Sequence, residues 1–284
     1  MKNTAKTAVL LAGLSGFFLF IGATLGGTTG MFIALIAAFA MIGFSYWKSD
    51  ALAIRSARAV PADEAQFPQY YEIMRDLTQR ADMPMPRLYI TPDPQPNAFA
   101  TGRNPDNAVI AVTAGLLQYL SWDEVRGVLA HELAHVKNRD ILIGSVAAAI
   151  ATAITFIANI AQFALIFGGG NNRDRNPLAD LAMIIVAPIA AALLQMAISR
   201  SREFQADRSA AQLIGDGEPL ARALEKISSG AAQMPMKVNP AQEQMYIANP
   251  LGPSQVAGNL FRTHPPMEER IRRLRSGEWQ SALG

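Results

Sequence analysis

Five consecutive residues, His131-Glu132-Leu133-Ala134-His135, carry the most specific chemistry in the chain. On a helix, histidines four apart face one way and can share one Zn²⁺ through neutral imidazole nitrogens. The glutamate between them reaches the water beside the metal rather than the metal. Glu132 is therefore the candidate catalytic base, taking a proton from a water that attacks a polarised peptide carbonyl. Only three histidines occur, at 131, 135 and 264, and there is no cysteine. Any transition metal must then be held by histidines and carboxylates, and disulfides and thiolate sites are excluded.

A catalytic zinc takes three protein ligands and keeps a fourth position open. The candidates for the third are His264 or a carboxylate, and Glu203 is the choice. In Glu203-Phe204-Gln205-Ala206-Asp207 a second carboxylate lies one helical turn on. Glu203 would bind the metal, and Asp207 would hydrogen-bond the free ring nitrogen of a ligand histidine. Chain order supports the pairing: His135 precedes one apolar run and Glu203 follows the next, so an antiparallel hairpin returns Glu203 to the face it left. His264, in Thr-His-Pro-Pro, stays open between a ligand, an oxyanion stabiliser and a structural loop residue. Arg270 reads, on composition, as a solvated helix charge.

The elements that must position these residues are legible in the charge pattern. Of 284 residues, 50% are hydrophobic and only 17% charged, below the usual quarter for soluble domains. No Asp, Glu, Lys or Arg occurs between Lys6 and Lys48, at 141–172 or at 181–199. Such gaps approach or exceed the roughly 20 apolar residues that cross a bilayer. The runs at 7–25 and 31–47, joined by Gly-Gly-Thr-Thr-Gly, predict one membrane hairpin. The apolar stretches on either side of the polar loop at 168–177 predict a second. A cleaved signal peptide fits the first run less well, because a second apolar run follows at once without an obvious cleavage site. Lysines and arginines flank both hairpins and put their ends on the cytoplasmic side. A net charge of +2 and the lack of an aromatic-basic stripe argue against nucleic acid.

Residues 50–140 read as soluble. Tyr70, Ile73, Met74 and Leu77 recur at helical spacing, short strands are expected at 88–90 and 108–113, and Asn97-Ala98-Phe99-Ala100-Thr101-Gly102 leads into the latter. Ser121 and Glu124 form a capping box. The helix they open, from Trp122 towards Asn138, puts Val125, Leu129, Leu133 and Val136 on its core face. His131 and His135 lie on another face, bordered by Gly127, Ala130 and Ala134, where a second element can approach closely. After the second hairpin, helices are expected at 199–213, 220–228 (closed by Gly230) and 265–275. The domain plan is thus a hairpin at 1–49, a catalytic part at 50–140, a second hairpin at 141–200, and a closing catalytic part at 201–284. The fold class is a mainly α membrane protein: four transmembrane helices and a cytoplasmic zincin-type (gluzincin) α+β domain with a small sheet.

The assembled segments resemble the M48 zinc metallopeptidases, and within them the HtpX family of bacterial membrane heat-shock proteases. The resemblance spans both hairpins, Asn97 to Gly102, Ala130 to His135, Ser201 to Asp207 and Thr263 to Pro266. It implies that His131, His135 and Glu203 bind one zinc per subunit, that Glu132 is the base, and that Asp207 supports a ligand. It further implies that Asn97, Ala98, Phe99 and Ala100 pair with substrate backbone by strand addition, and that His264 approaches the developing oxyanion. The expected partners are misfolded or damaged membrane proteins and the lipid bilayer, in the bacterial cytoplasmic (inner) membrane, with the active site on the cytoplasmic side. A rival reading is a non-catalytic scaffold or holdase with a structural zinc, gripping apolar peptides through the Met-rich stretch at 231–263. That stretch is also the expected site of a mobile lid.

Overall fold

The computed structural model describes residues 47–141, 200–233, 246–247 and 265–280, with a few helical positions between 27 and 44. Most of both expected hairpins, and most of 231–263, lie outside the described residues. Among the described residues no helix is long and apolar enough to cross a membrane.

A four-stranded sheet organises the first half. Its strands are β1 (Val60–Pro61), β2 (Arg87–Thr91), β3 (Ala98–Thr101) and β4 (Val109–Thr113), in the order β1-β2-β4-β3. β2 runs parallel to β4, with Leu88 opposite Ile110, whereas β3 is antiparallel to β4, with Ala98 opposite Val112. Side chains alternate faces along each strand. Leu88, Ile90, Ala98, Ala100, Ile110 and Val112 enter the main core. Phe99 and Ala111 point the other way and pack with Ala53, from the helical stretch at 47–56, here α1. β1 and the short helix α3 (Ala114–Tyr119) are additions to the sequence-based plan.

The main core is closed by α2 (Pro68–Ala81), which buries Tyr70, Met74 and Leu77, and by α4 (Trp122–Lys137). The capping box on α4 forms as expected: Ser121 N–H donates to Glu124 Oε2 at 2.8 Å, and Glu124 N–H to Ser121 Oγ at 3.4 Å. Three further helices pack around it: α5 (Arg200–Ile214), α6 (Glu218–Gln233) and α7 (Met267–Arg275). Gly127 admits the close approach its small size suggests. A Cβ there would sit 2.6 Å from the Leu220 backbone nitrogen of α6. α5 stops at Gly215, whose φ of +86° is left-handed. Gly230 does not end α6, which runs on to Gln233. Its missing side chain is used instead to seat the ring of Pro96, which a Cβ would strike.

Candidate metal centre

α4 and α5 cross so that the two histidines of α4 meet Glu203 in the first turn of α5. His131 and His135 present their Nε2 atoms 3.1 Å apart, with their rings nearly perpendicular at 89°. Glu203 Oε1 lies 3.4 Å from His135 Nε2, and Oε2 lies 3.7 Å from His131 Nε2. A tetrahedral zinc bound at 2.0–2.1 Å separates its ligand atoms by roughly 3.4 Å. The three edges observed, 3.1, 3.4 and 3.7 Å, straddle that value. Two imidazole nitrogens and one carboxylate, without thiolate, also match a catalytic zinc donor set. The residues present fit the ion.

Both histidines are held from behind. His131 Nδ1 is 3.0 Å from Asp207 Oδ1, one turn beyond Glu203 on α5. Asp207 is clamped in turn by Arg270 of α7, whose Nε and Nη2 donate to its two oxygens at 2.8 and 2.7 Å. His135 Nδ1 is 3.2 Å from Asp140 Oδ2.

Arg270 corrects the sequence-based reading. It is fully buried, with Nη1 3.4 Å from Glu203 Oε2 and donating to the Ile247 carbonyl at 3.1 Å. An uncompensated charge at that depth is strongly unfavourable, and Asp207 and Glu203 supply the compensation. The signal that could have revealed it is spacing. Arg270 lies four residues before Leu274, so both share the inward face of α7, and both are buried. Asp140 was missed for another reason. It lies beyond the end of α4, where helical periodicity predicts nothing.

The electrostatics suit a metal-dependent hydrolase. Burial lowers the pKa of His131, favouring the neutral form that ligates. Burial also opposes charge on His135, but the carboxylates of Glu203 and Asp140 outweigh it and hold the group at about 10 in the metal-free protein. A metal must therefore displace a proton there. Glu132 is 2% exposed. Burial pushes its carboxyl up to about 7, Glu203 adding to the rise, while His135, Arg270 and a backbone hydrogen bond from Ala100 oppose it.

That last bond brings β3 over the base. The free edge of β3 already carries part of the chain: Ile247 N–H donates to the Ala98 carbonyl at 3.0 Å, and Tyr246 bridges Phe99 antiparallel. Their rings meet edge to face at 5.2 Å. Asn97 is buried and donates its backbone N–H to Thr113 Oγ1 at 2.9 Å. His264 lies outside the described residues. The structure thus brings together His131, Glu132, His135, Glu203, Asp207 and Ala100, and adds Asp140 and Arg270.

The model of peptidase family M48 matches residues 64–278. The chain belongs to peptidase family M48. As an M48 peptidase it is a metal-dependent hydrolase of peptide bonds. Relatives named "Protease HtpX homolog", from Burkholderia ambifaria (strain MC40-6) and Burkholderia mallei (strain SAVP1), are 52% identical to it over 279 residues, covering 96% of either chain. Among solved structures, Ste24p of S. mikatae shares the fold, with a TM-score of 0.54 at 18% identity. The M48 chain aligns over 96% of its own length and spans 65% of that larger protein.

Proposed function

We propose that the protein is a zinc-dependent endopeptidase of the bacterial cytoplasmic membrane. It spans the bilayer four times and cleaves misfolded or damaged membrane proteins at the cytoplasmic face. The observation that carries the reading is the His131–His135–Glu203 cluster, with ligand atoms all within 4.8 Å of one another, beside the buried carboxyl of Glu132. The uncharged runs flanking the catalytic parts support the membrane assignment, as do the relatives named as HtpX homologues.

Zinc held by His131, His135 and Glu203 supplies Lewis acidity, polarising a peptide carbonyl and making water a better acid. Glu132 takes the proton from that water and can return it to the departing amine. Asp207 and Arg270 keep His131 oriented, and burial of the cluster keeps bulk water from screening it. An extended substrate segment adds to the edge of β3 along Asn97, Ala98, Phe99 and Ala100, and His264 donates towards the developing oxyanion. Because Tyr246 and Ile247 already occupy that edge, strand addition at Ala98 and Phe99 proceeds by exchange with them.

The test is reconstitution. In liposomes, the purified protein should cleave an unfolded membrane-protein substrate, stop when a chelator removes metal, and resume with zinc. It should also stay with membranes through an alkaline wash. Cleavage that survives complete chelation, or release by the wash, would contradict the proposal.

A further inference from the structure

The two ligand histidines are backed in parallel ways. Behind His131 stands Asp207, and behind Asp207 stands Arg270. Behind His135 stands Asp140, at 3.2 Å. Behind Asp140 stands Arg202, whose Nη1 is 3.9 Å from Asp140 Oδ1. We propose that Asp140 is a positioning residue that fixes the ring and tautomer of His135, and that Arg202 orients the Asp140 carboxylate for this task. The proposal rests on the metallopeptidase reading, since its effect is to present a nitrogen to a metal.

The chemistry follows from the imidazole. A neutral ring has one N–H, and the nitrogen that carries it cannot ligate. With the proton on Nδ1 and donated to Asp140, the Nε2 lone pair points at Glu203 and His131. The carboxylate also makes the ring a stronger donor to the metal.

The backbone is shaped for the contact. α4 ends at Lys137, and Arg139 takes a φ of +59°. That left-handed turn is unfavourable for a side chain such as arginine, and it brings Asp140 back beneath the last turn of α4. Asp140 and Arg202 are 8% and 7% exposed, a depth at which carboxylate and guanidinium each need an opposite charge. Arg202 immediately precedes Glu203 on α5. One helical turn therefore supplies both a metal ligand and the cation behind the opposing histidine, and it does so across the junction left by residues 141–199. The two supports are not equal. Arg270 hydrogen-bonds Asp207 at 2.7 and 2.8 Å, whereas Arg202 acts on Asp140 by charge alone at 3.9 Å. The effect of Arg202 should accordingly be smaller, and because Arg202 also lies within electrostatic reach of Glu203, only the part that depends on Asp140 belongs to the proposal.

Zinc affinity of the full-length, detergent-purified protein, measured by competition with a zinc-binding dye, tests this without reference to proteolysis. Asp140→Ala should weaken zinc binding by about 10- to 100-fold. Asp140→Asn should lose less, about three- to tenfold, because its amide oxygen still accepts from Nδ1–H but polarises the ring less. Arg202→Met should change zinc affinity by a different factor in the parent than in Asp140→Ala, the non-additivity of groups in contact. Zinc affinity within twofold of the parent in Asp140→Ala would overturn the proposal, as would an Arg202→Met effect of the same size in the parent and in Asp140→Ala. If the alanine variant does not fold, unchanged affinity in Asp140→Asn overturns it equally, and a loss of threefold or more supports it. A parent that takes up no zinc would overturn the underlying metallopeptidase reading, a result distinct from any difference between variants.

Discussion

Glu132 sits where burial and neighbouring charge disagree about its proton. Burial raises its carboxyl to about 7 in the metal-free protein, with His135 and Arg270 pulling the other way. The unfolded chain releases that proton near the ordinary carboxyl value of about 4.3. A group whose folded pKa is raised favours the fold fully below the unfolded value and loses that contribution as pH rises through 7. Glutamine at this position has no proton to lose. Metal-free Glu132→Gln protein should therefore match the parent near pH 4 and exceed it in stability by up to about 3 kcal/mol at pH 8. Thermal unfolding of chelator-treated protein at the two pH values measures the gap; an equal gap at both would show that Glu132 is not buried as an acid. His131, Glu132, His135, Glu203 and Asp207 were legible as one cluster from residue types and spacing. Arg270 and Asp140 were not, because their roles depend on which face of α7 turns inward and on a backbone turn after α4 ends.

At the scale of elements, the site is a junction of α4, α5 and the edge of β3. The capping box and the core face of α4 follow from local signals, and both stand where the sequence placed them. Gly230 shows the limit of such signals: glycine can end a helix or let a neighbour approach, and only the packed Pro96 ring decides between them. Likewise, the stretch Asn97–Ala100 was expected as an open edge for substrate, and its pairing with Tyr246 and Ile247, some 150 residues on in the chain, has no local signature. Phe99 and Tyr246 face each other in a narrow antiparallel pair, whose Cα atoms are typically about 4.5 Å apart, within the reach of a disulfide. The chain has no cysteine of its own. A Phe99→Cys/Tyr246→Cys variant should thus lose peptide cleavage by at least about tenfold when oxidised, a barrier rise of about 1.4 kcal/mol, and recover with reductant. Equal rates in both redox states would mean that substrate does not use this stretch of β3.

For the whole molecule, the described catalytic parts come from opposite sides of residues 141–199, and the metal cluster exists only where they meet. His131 and His135 come from one side, and Glu203, Asp207 and Arg270 from the other. This explains why chain order, two histidines before an apolar stretch and a glutamate after it, supported placing Glu203 beside the histidines. The proposed membrane path between them, and with it the proposed setting of the site at the bilayer, rests on the charge-free runs of the sequence. The central claim is that Glu132 turns a bound zinc into a peptidase. The most direct measurement pairs zinc content with cleavage of an unfolded protein by the purified parent and by Glu132→Gln. Both should hold about one zinc per chain, and the variant should lose cleavage by at least about a thousandfold, near 4 kcal/mol of barrier. A variant that keeps its zinc and cleaves as fast as the parent would contradict the account.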